Sequence, residues 1–530
     1  MPTNAALPAR GAALLLALVA ALLLFRLGAM PLVGPDEPRY ARVAVEMHRR
    51  GDWVVPTLGG APWLEKPPLY YWLAGAAFSV LGESETAARL PSVLAAVILT
   101  GVTALVGARL YGGPAGLHAG FVAGTALLSF VYGRAASMDM LLAAAVTAAI
   151  GLVGLRALAV AGPLAMLAAG ACAGLGMLAK GPLGVLLPAL VAVAFLALVR
   201  GEIWRRIVAG VVPAALAAAL VAGPWYAAIL HVQGRAFVDV FLLDHNVARF
   251  TSTIHHHPGP LLYYVPMLVG GLFVWSGLLV PALAAVSRRD ARDLFLLAWA
   301  GAPLVFFSVA ASKLPGYILP CVPPLAILVG RAADGLVRGE GGAGLRRAAG
   351  LLTVALAAVV AAVPIVAERM GEPAWSLLVP PASWALLAAL AASSRLGHDA
   401  GGALRILRVG AAGFLLLLTT AVPPILARRE SGRDLFRAAR GREVLVWNAW
   451  RTAWMAGYFY NDGRVREVSG LDEIAAAAAR GPVLVLCGPG ELRALQTLPG
   501  FDTRAITRGA RDQVLVEVRP RRTSVTTTLG

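Results

Sequence analysis

The sequence predicts an all-α polytopic membrane protein of about thirteen transmembrane helices, closed by a small C-terminal α/β domain. Three observations predict it. Of 530 residues, 58% are hydrophobic and only 14% charged, with a mean hydropathy of +0.73. Water does not solvate such a chain as a globule, which excludes a soluble cytoplasmic enzyme, a disordered chain and a coiled coil. Apolar stretches of roughly 17 to 25 residues, the span that crosses about 30 Å of hydrocarbon, recur along most of the chain. From about residue 430 the composition turns polar, with Arg433, Asp434, Arg437, Arg440, Arg442 and Glu443 close together.

The apolar stretches cover approximately 11–30, 89–108, 115–132, 140–158, 163–179, 182–199, 207–230, 261–286, 294–311, 316–332, 348–367, 376–393 and 405–426. The first resembles a signal peptide, with Arg10 before it and Ala29 near a small-residue site, but the spans that follow favour a retained anchor. The stretch from Pro68 to Leu81 is apolar yet too short to cross and reads as re-entrant or interfacial. Within the first loop, 31–88, Val43 and Met47 lie on one helical face and Arg42, Glu46, Arg49 and Arg50 on another, which suits a helix lying in the membrane plane.

Residues 1–430 thus form the membrane domain and 431–530 a second unit. There, Glu443 to Asn448 and Gly481 to Cys487 read as short buried strands. Leu471 to Arg480 reads as an Ala-rich helix and Gln513 to Val518 as an alternating strand. Gly488-Pro489-Gly490 lacks the remaining glycines and the Lys of a phosphate loop and reads as a turn.

The net charge of +17 is explained by topology, not by a nucleic-acid partner. Arg200, Arg205 and Arg206, then Arg288, Arg289 and Arg292, then Arg331, Arg338, Arg346 and Arg347, and finally Arg395 and Arg405 occupy loops that thirteen spans place beside the N-terminus. The positive-inside rule makes that side cytoplasmic. The loops 31–88, 133–139, 180–181, 231–260 and 312–315, and everything after 427, then face outward. The three cysteines support neither a disulfide framework nor a thiolate metal site.

Charged side chains at span ends are costly and call for a reason. Asp36 follows the first span, where a carboxylate could take a proton from an attacking hydroxyl; an ordinary helix cap ahead of Pro38 is the equal alternative. Glu65 and Lys66 could form a weak surface ion pair, but the flanking aromatics and Pro67-Pro68 pin the backbone and favour a site. Asp139 closes the third span and is as readily functional as structural, whereas Lys180 reads as topological punctuation. Arg39, Arg249, Lys313 and Tyr317 are candidates to meet a phosphate at headgroup depth, although snorkelling also explains Lys313. His255, His256 and His257 cannot all point one way, so at most two would bind one metal. Glu65, His255 and His256 are the candidate set for a divalent zinc, manganese or magnesium ion, against a plain polar loop. No nucleotide cofactor is required. Parity places all these groups on one membrane face, which suits group transfer from a lipid phosphate: cations steady the departing phosphate and an acid sits beside them.

The motifs Asp36-Glu37-Pro38-Arg39-Tyr40-Ala41, Gly51-Asp52-Trp53, Leu64-Glu65-Lys66-Pro67-Pro68 and Ala179-Lys180-Gly181-Pro182 resemble those of the aminoarabinose transferase family, ArnT-like relatives of the protein O-mannosyltransferases. So do His245-Asn246 with Arg249-Phe250, His255-His256-His257 and Ser312-Lys313-Leu314-Pro315. The resemblance runs in order from about residue 11 to 426. It implies a GT-C glycosyltransferase of thirteen spans with a structured first periplasmic loop and a periplasmic C-terminal domain. It also implies an inverting transfer from an undecaprenyl phosphate-linked sugar, with Asp36 as the essential carboxylate and Lys66, Arg249 and Tyr317 near the donor phosphate. Pro38 and Gly316 depart from the family pattern at positions that bear on acceptor choice. The expected partners are a polyprenyl phosphate-linked sugar donor, membrane lipids, and lipid A, another glycolipid or a protein as acceptor. A lipid-carrier flippase and a noncatalytic envelope scaffold are the competing classes; a flippase should carry charges near mid-span and repeated halves, which the sequence does not display.

Overall fold

The computed structural model describes residues 6–248, 259–370 and 372–521. Helix α1 (Ala9–Leu24) leads into a first loop built from α2 (Asp36–Arg50), the hairpin β1 (Thr57–Leu58) and β2 (Ala61–Pro62), and α3 (Leu69–Leu81). Then come α4 (Glu85–Tyr111), α5 (Gly113–Thr125), α6 (Leu127–Gly133), α7 (Asp139–Ala157), α8 (Leu164–Lys180), α9 (Leu183–Leu198) and α10 (Glu202–Phe237), which runs into a π-helical turn over Val238–Ala248. Beyond lie α11 (Tyr264–Gly271), α12 (Leu279–Ala284), α13 (Ala291–Val309), α14 (Val322–Val337), α15 (Ala343–Arg369), α16 (Val379–Leu396) and α17 (Ala400–Glu430).

Each predicted stretch contains helix, in segments of unequal length. Among the described residues, eight helical segments are long and apolar enough to cross a bilayer, and two bent pairs raise that to ten. Helices α1, α8 and α9 are shorter, at 16, 17 and 16 residues, at or just under the lower end of the roughly 17 to 25 that cross. α1 stops early because Arg134 donates to the carbonyls of Leu22, Leu23 and Phe25, offering its last turn a partner other than a further helical turn.

Two expected single spans are broken. α5 and α6 meet at 58°, and Tyr264–Gly271 meets Ser276–Ala284 at 113°. The breaks pin each other: Trp275 in the second donates its indole N–H to Thr125 Oγ1 at the first, at 3.0 Å. α5 packs tightly on α4 because Gly116, Gly120 and Gly124 form a small-residue stripe; a Cβ at Gly116 would stand 2.4 Å from the Ala104 carbonyl oxygen.

The C-terminal unit contains α18 (Arg433–Ala439), β3 (Val444–Trp447), α19 (Arg451–Tyr460), β4 (Val465–Glu467), α20 (Leu471–Ala478), β5 (Val483–Cys487), α21 (Pro489–Gln496), β6 (Phe501–Arg508) and β7 (Val514–Pro520). The sheet order is β4-β3-β5-β7-β6, parallel around β3 and antiparallel around β7. Successive strand residues alternate between two cores. Leu445, Val485 and Val516 face Ile474 and Leu495, while Val444, Leu484 and Leu515 face Phe436 and Ala453. The α/β character matches expectation; β4, β6, α18, α19 and α21 are additions.

This unit latches onto the first loop. Asp462, just past α19, receives Arg42 at 2.5 Å and Arg49 at 2.7 Å from α2. Tyr460 Oη accepts the Leu32 N–H at 2.7 Å and donates to Glu85 at 3.1 Å. Arg42 and Arg49 on the charged face of α2 are therefore engaged by protein, although Arg49 and Arg50 stay exposed. Arg42 also holds Glu46, whose carboxylate accepts from Thr57 Oγ1 and the amides of Gly59 and Gly60, fixing the hairpin. Burial pushes the Glu46 carboxyl up, but those hydrogen bonds outweigh it and hold the group below its ordinary value.

Candidate active site

The Pro67-Pro68 pair ahead of α3 fixes the Glu65-Lys66 backbone. Lys180 ends α8 and is followed by Gly181 at φ +81°, a conformation that favours glycine, and a Cβ there would strike the Phe241 ring at 2.6 Å. The π-helical turn carries His245, and a 3-10 turn over Pro315–Cys321 carries Tyr317. Together Glu65, Lys66, Lys180, His245 and Tyr317 line a cavity of about 360 Å³ whose other walls include Leu183, Leu186, Leu242, Phe306 and Phe307. The cavity is apolar with a few convergent polar groups, the usual make-up of a small-molecule site.

Two carboxylates come with it and a third, Asp36, stands nearby. Lys180 Nζ is ion-paired with Asp139 and lies 4.8 Å from the centre of the Tyr317 ring. Glu65 Oε1 is 3.5 Å from His245 Nε2. Asp36 opens α2 and binds Arg39 at 2.5 Å, and the Arg39 guanidinium stacks 4.8 Å from the Trp63 ring. Pro35 occupies the position before the helix and Asp36 makes no side-chain cap bond, so the helix-cap alternative fails. The Asp36 side chain stays 55% exposed, open to an incoming molecule. Tyr40 registers all three acids: burial raises its phenol first, then Asp36, against the lowering by Arg39, with Glu65 and Asp139 adding to the rise.

Of the residues singled out in the sequence, Glu65, Lys66 and Tyr317 line the cavity and Asp139 borders it through Lys180; Asp36 and Arg39 stand outside its lining, near enough to Tyr40 to act on it together with Glu65 and Asp139. Lys313 is buried beside it and donates to the Ala310 carbonyl at 2.6 Å. Arg249, His255, His256 and His257 lie outside the described residues. Among the described residues, no cluster of three or more His, Cys, Asp and Glu side chains could hold a metal ion. At Gly316 a Cβ would come within 2.6 Å of the Tyr132 ring, which accounts for glycine there.

The sequence reading of Lys180 as punctuation missed its place at the cavity, and a signal was present. Lys66, Lys180 and Lys313 are the chain's three lysines, among 46 basic residues. A chain that uses arginine everywhere else keeps lysine at one place, where a compact ammonium differs from a planar fork. Glu37 was passed over too: it is 6% exposed and pairs at 2.7 Å with Arg89, which is fully buried.

A family model described as dolichyl-phosphate-mannose-protein mannosyltransferase matches residues 65–226. An undecaprenyl phosphate-alpha-4-amino-4-deoxy-L-arabinose arabinosyl transferase from Aeromonas salmonicida is 33% identical over 386 residues, covering 67% of this chain and 68% of its own length. Its counterpart from Pseudomonas aeruginosa strain UCBPP-PA14 is 33% identical over 336 residues, 61% of this chain. This chain matches 59% of that relative's length. The crystal structure of ArnT from Cupriavidus metallidurans bound to undecaprenyl phosphate superposes with a TM-score of 0.79 at 24% identity, over 95% of this chain and 97% of that one. At that identity the likeness concerns the fold.

Proposed function

Because this multi-pass membrane protein belongs to the undecaprenyl phosphate-aminoarabinose arabinosyl transferase family, we propose that it is a GT-C glycosyltransferase. It moves a sugar, 4-amino-4-deoxy-L-arabinose, from an undecaprenyl phosphate carrier to lipid A on the periplasmic face of the bacterial inner membrane. The N-terminus is cytoplasmic and the C-terminal unit periplasmic. The observation that carries this reading is the meeting of Lys66, Lys180, Glu65 and the Lys180-paired Asp139 at one apolar-walled cavity, with Asp36 nearby across Tyr40.

The apolar wall suits an isoprenoid chain, and Lys66, Lys180 and Arg39 suit its phosphate, with Arg249 as a further candidate. An acceptor oxygen attacks the anomeric carbon, the bond from that carbon to the phosphate oxygen breaks, and the phosphate leaves with both electrons. Fixed cations stabilise the charge that develops on it. For a hydroxyl acceptor Asp36 takes the proton; for an anionic lipid A phosphate Asp36 orients the sugar and balances charge. Glu65 and Asp139 hold the cations in register, and Lys313 and Tyr317 shape the phosphate end.

A divalent metal stays part of the proposal only as an addition. Glu65 and His245 supply an oxygen and a nitrogen, a pair that suits zinc, but two donors do not complete a shell, and His255 or His256 would have to join. A bound ion would add positive charge at the phosphate end. Elemental analysis of the purified protein, with a His255, His256, His257 triple Ala variant, decides it.

The transfer reading is tested with purified protein, undecaprenyl phosphate-aminoarabinose and lipid A. Sugar on lipid A supports it, and no transfer to any acceptor contradicts it. The match of residues 65–226 to a protein mannosyltransferase model favours a second reading, transfer to a protein acceptor, which the same assay separates when an unfolded protein replaces lipid A.

A further inference from the structure

Asp36 and Glu37 are adjacent, and on a helix adjacent side chains point about 100° apart. One therefore faces outward where the other faces in. Asp36 is half-exposed, whereas Glu37 is buried and fully engaged. Glu37 Oε2 accepts from Arg89 Nη2 at 2.7 Å and from the Val33 N–H at 2.8 Å. Its Oε1 accepts from Arg89 Nε at 3.1 Å and from the Ala136 N–H at 2.7 Å. Arg89 spends its other donors on the carbonyls of Leu27, Met30 and Pro31.

The Ala136 bond matters most. Ala136 lies three residues before Asp139, in the non-helical turn between α6 and α7. A single carboxylate thus ties the start of α2, which carries Asp36, to the turn that presents Asp139, 99 residues away from Glu37 to Ala136. With Arg89 anchoring Glu37 from α4, the roll of α2 about its own axis is fixed. So is the direction in which Asp36 leaves it. We propose that Glu37, held by Arg89, is a positioning residue that sets Asp36 and Asp139 in mutual register for the transfer reaction. The proposal rests on the transferase reading for its kinetic part and on geometry alone for the tie itself.

Two measurements on the full-length protein test it. Hydrogen exchange followed over 133–139 should show the Ala136 amide of the wild type exchanging as slowly as buried helix amides. In Glu37→Gln, whose side chain keeps one acceptor oxygen and sets an NH2 donor where the other stood, it should exchange at least tenfold faster while peptides of α14 and α16 are unchanged. In the same variant kcat should fall at least tenfold while the KM for the polyprenyl donor changes less than threefold, because the cavity lysines are untouched. Fast exchange of Ala136 in the wild type overturns the tie. An opened Ala136 amide with wild-type kcat overturns the positioning role and leaves the transferase reading standing. If the wild type transfers no sugar, the transferase reading fails and exchange alone decides the tie. Should Glu37→Gln fail to fold, Arg89→Lys, which keeps the charge but loses the fork on Glu37, carries the same pair of expectations.

Discussion

Lys180 reaches across from the end of α8 to place its ammonium 4.8 Å from the centre of the Tyr317 ring, while the same ammonium is paired with Asp139. Three elements distant in sequence thereby share one cation. An ammonium meets an aromatic face and a carboxylate as a compact point charge, and a guanidinium has a different shape and reach. Lys180→Arg should lower kcat/KM about tenfold, roughly 1.4 kcal/mol of transition-state stabilisation. Wild-type values for this variant in the transfer assay would show that only the charge matters.

Asp36 should matter more. With the Arg39 contact preserved by amide geometry but the negative charge removed, Asp36→Asn is expected to lose roughly 10²-fold or more in turnover. Donor binding, carried by the lysines, should change little. Single-turnover kinetics at saturating donor checks this, and a variant with full kcat contradicts the assigned role.

The latch between the C-terminal unit and α2 predicts a pH dependence. Burial raises the Asp462 carboxyl, but its hydrogen bonds from Arg42 and Arg49 outweigh that and hold it below its ordinary value, as the corresponding bonds do for Glu46. A lowered carboxyl contributes stability that is present above the unfolded-state value and lost as pH falls through the folded one. The latch is therefore intact at pH 6 and loosens only below about pH 4. Exposed pairs contribute little, about 0.5 kcal/mol each, so Asp462→Ala should lower Tm by a few degrees at most near neutrality. Protease sensitivity between 430 and 445 should rise in that variant, and should rise in the wild type on acidification.

Close approach of α5 to α4 predicts a large steric effect. At Gly116 the obstacle is the Ala104 backbone oxygen at 2.4 Å, which cannot rotate away. Gly116→Val should cost about 1–3 kcal/mol from overpacking, read as a lowered Tm in detergent. At Gly223, where nothing lies within 4 Å of a Cβ, alanine should be tolerated.

Much of this architecture is legible in the chain because hydrocarbon allows few solutions: length and apolarity locate the helices. The helix breaks at Ala126 and before Ser276 are not legible, because they depend on a Trp275–Thr125 bond between segments 150 residues apart. The short end of α1 depends likewise on Arg134. At the site, Asp36, Glu65, Lys66, Asp139 and Tyr317 stand out as polar groups where apolar ones are the rule. Lys180 looked like punctuation because its meaning comes from Asp139 and Tyr317, both far off in sequence. Glu37 did not stand out because nothing local says which of two adjacent carboxylates turns inward.

The central claim, that the cavity holds the carrier phosphate among its lysines, is tested most directly by amine labelling. The chain's three lysines all lie at or beside that cavity, so reductive methylation with a small aldehyde, read by mass spectrometry, reports on it with little background. Lys66 and Lys180 should be modified in the free protein and protected when undecaprenyl phosphate is added, with half-protection tracking its binding curve. Modification of both lysines at the same rate with and without saturating undecaprenyl phosphate would contradict the account.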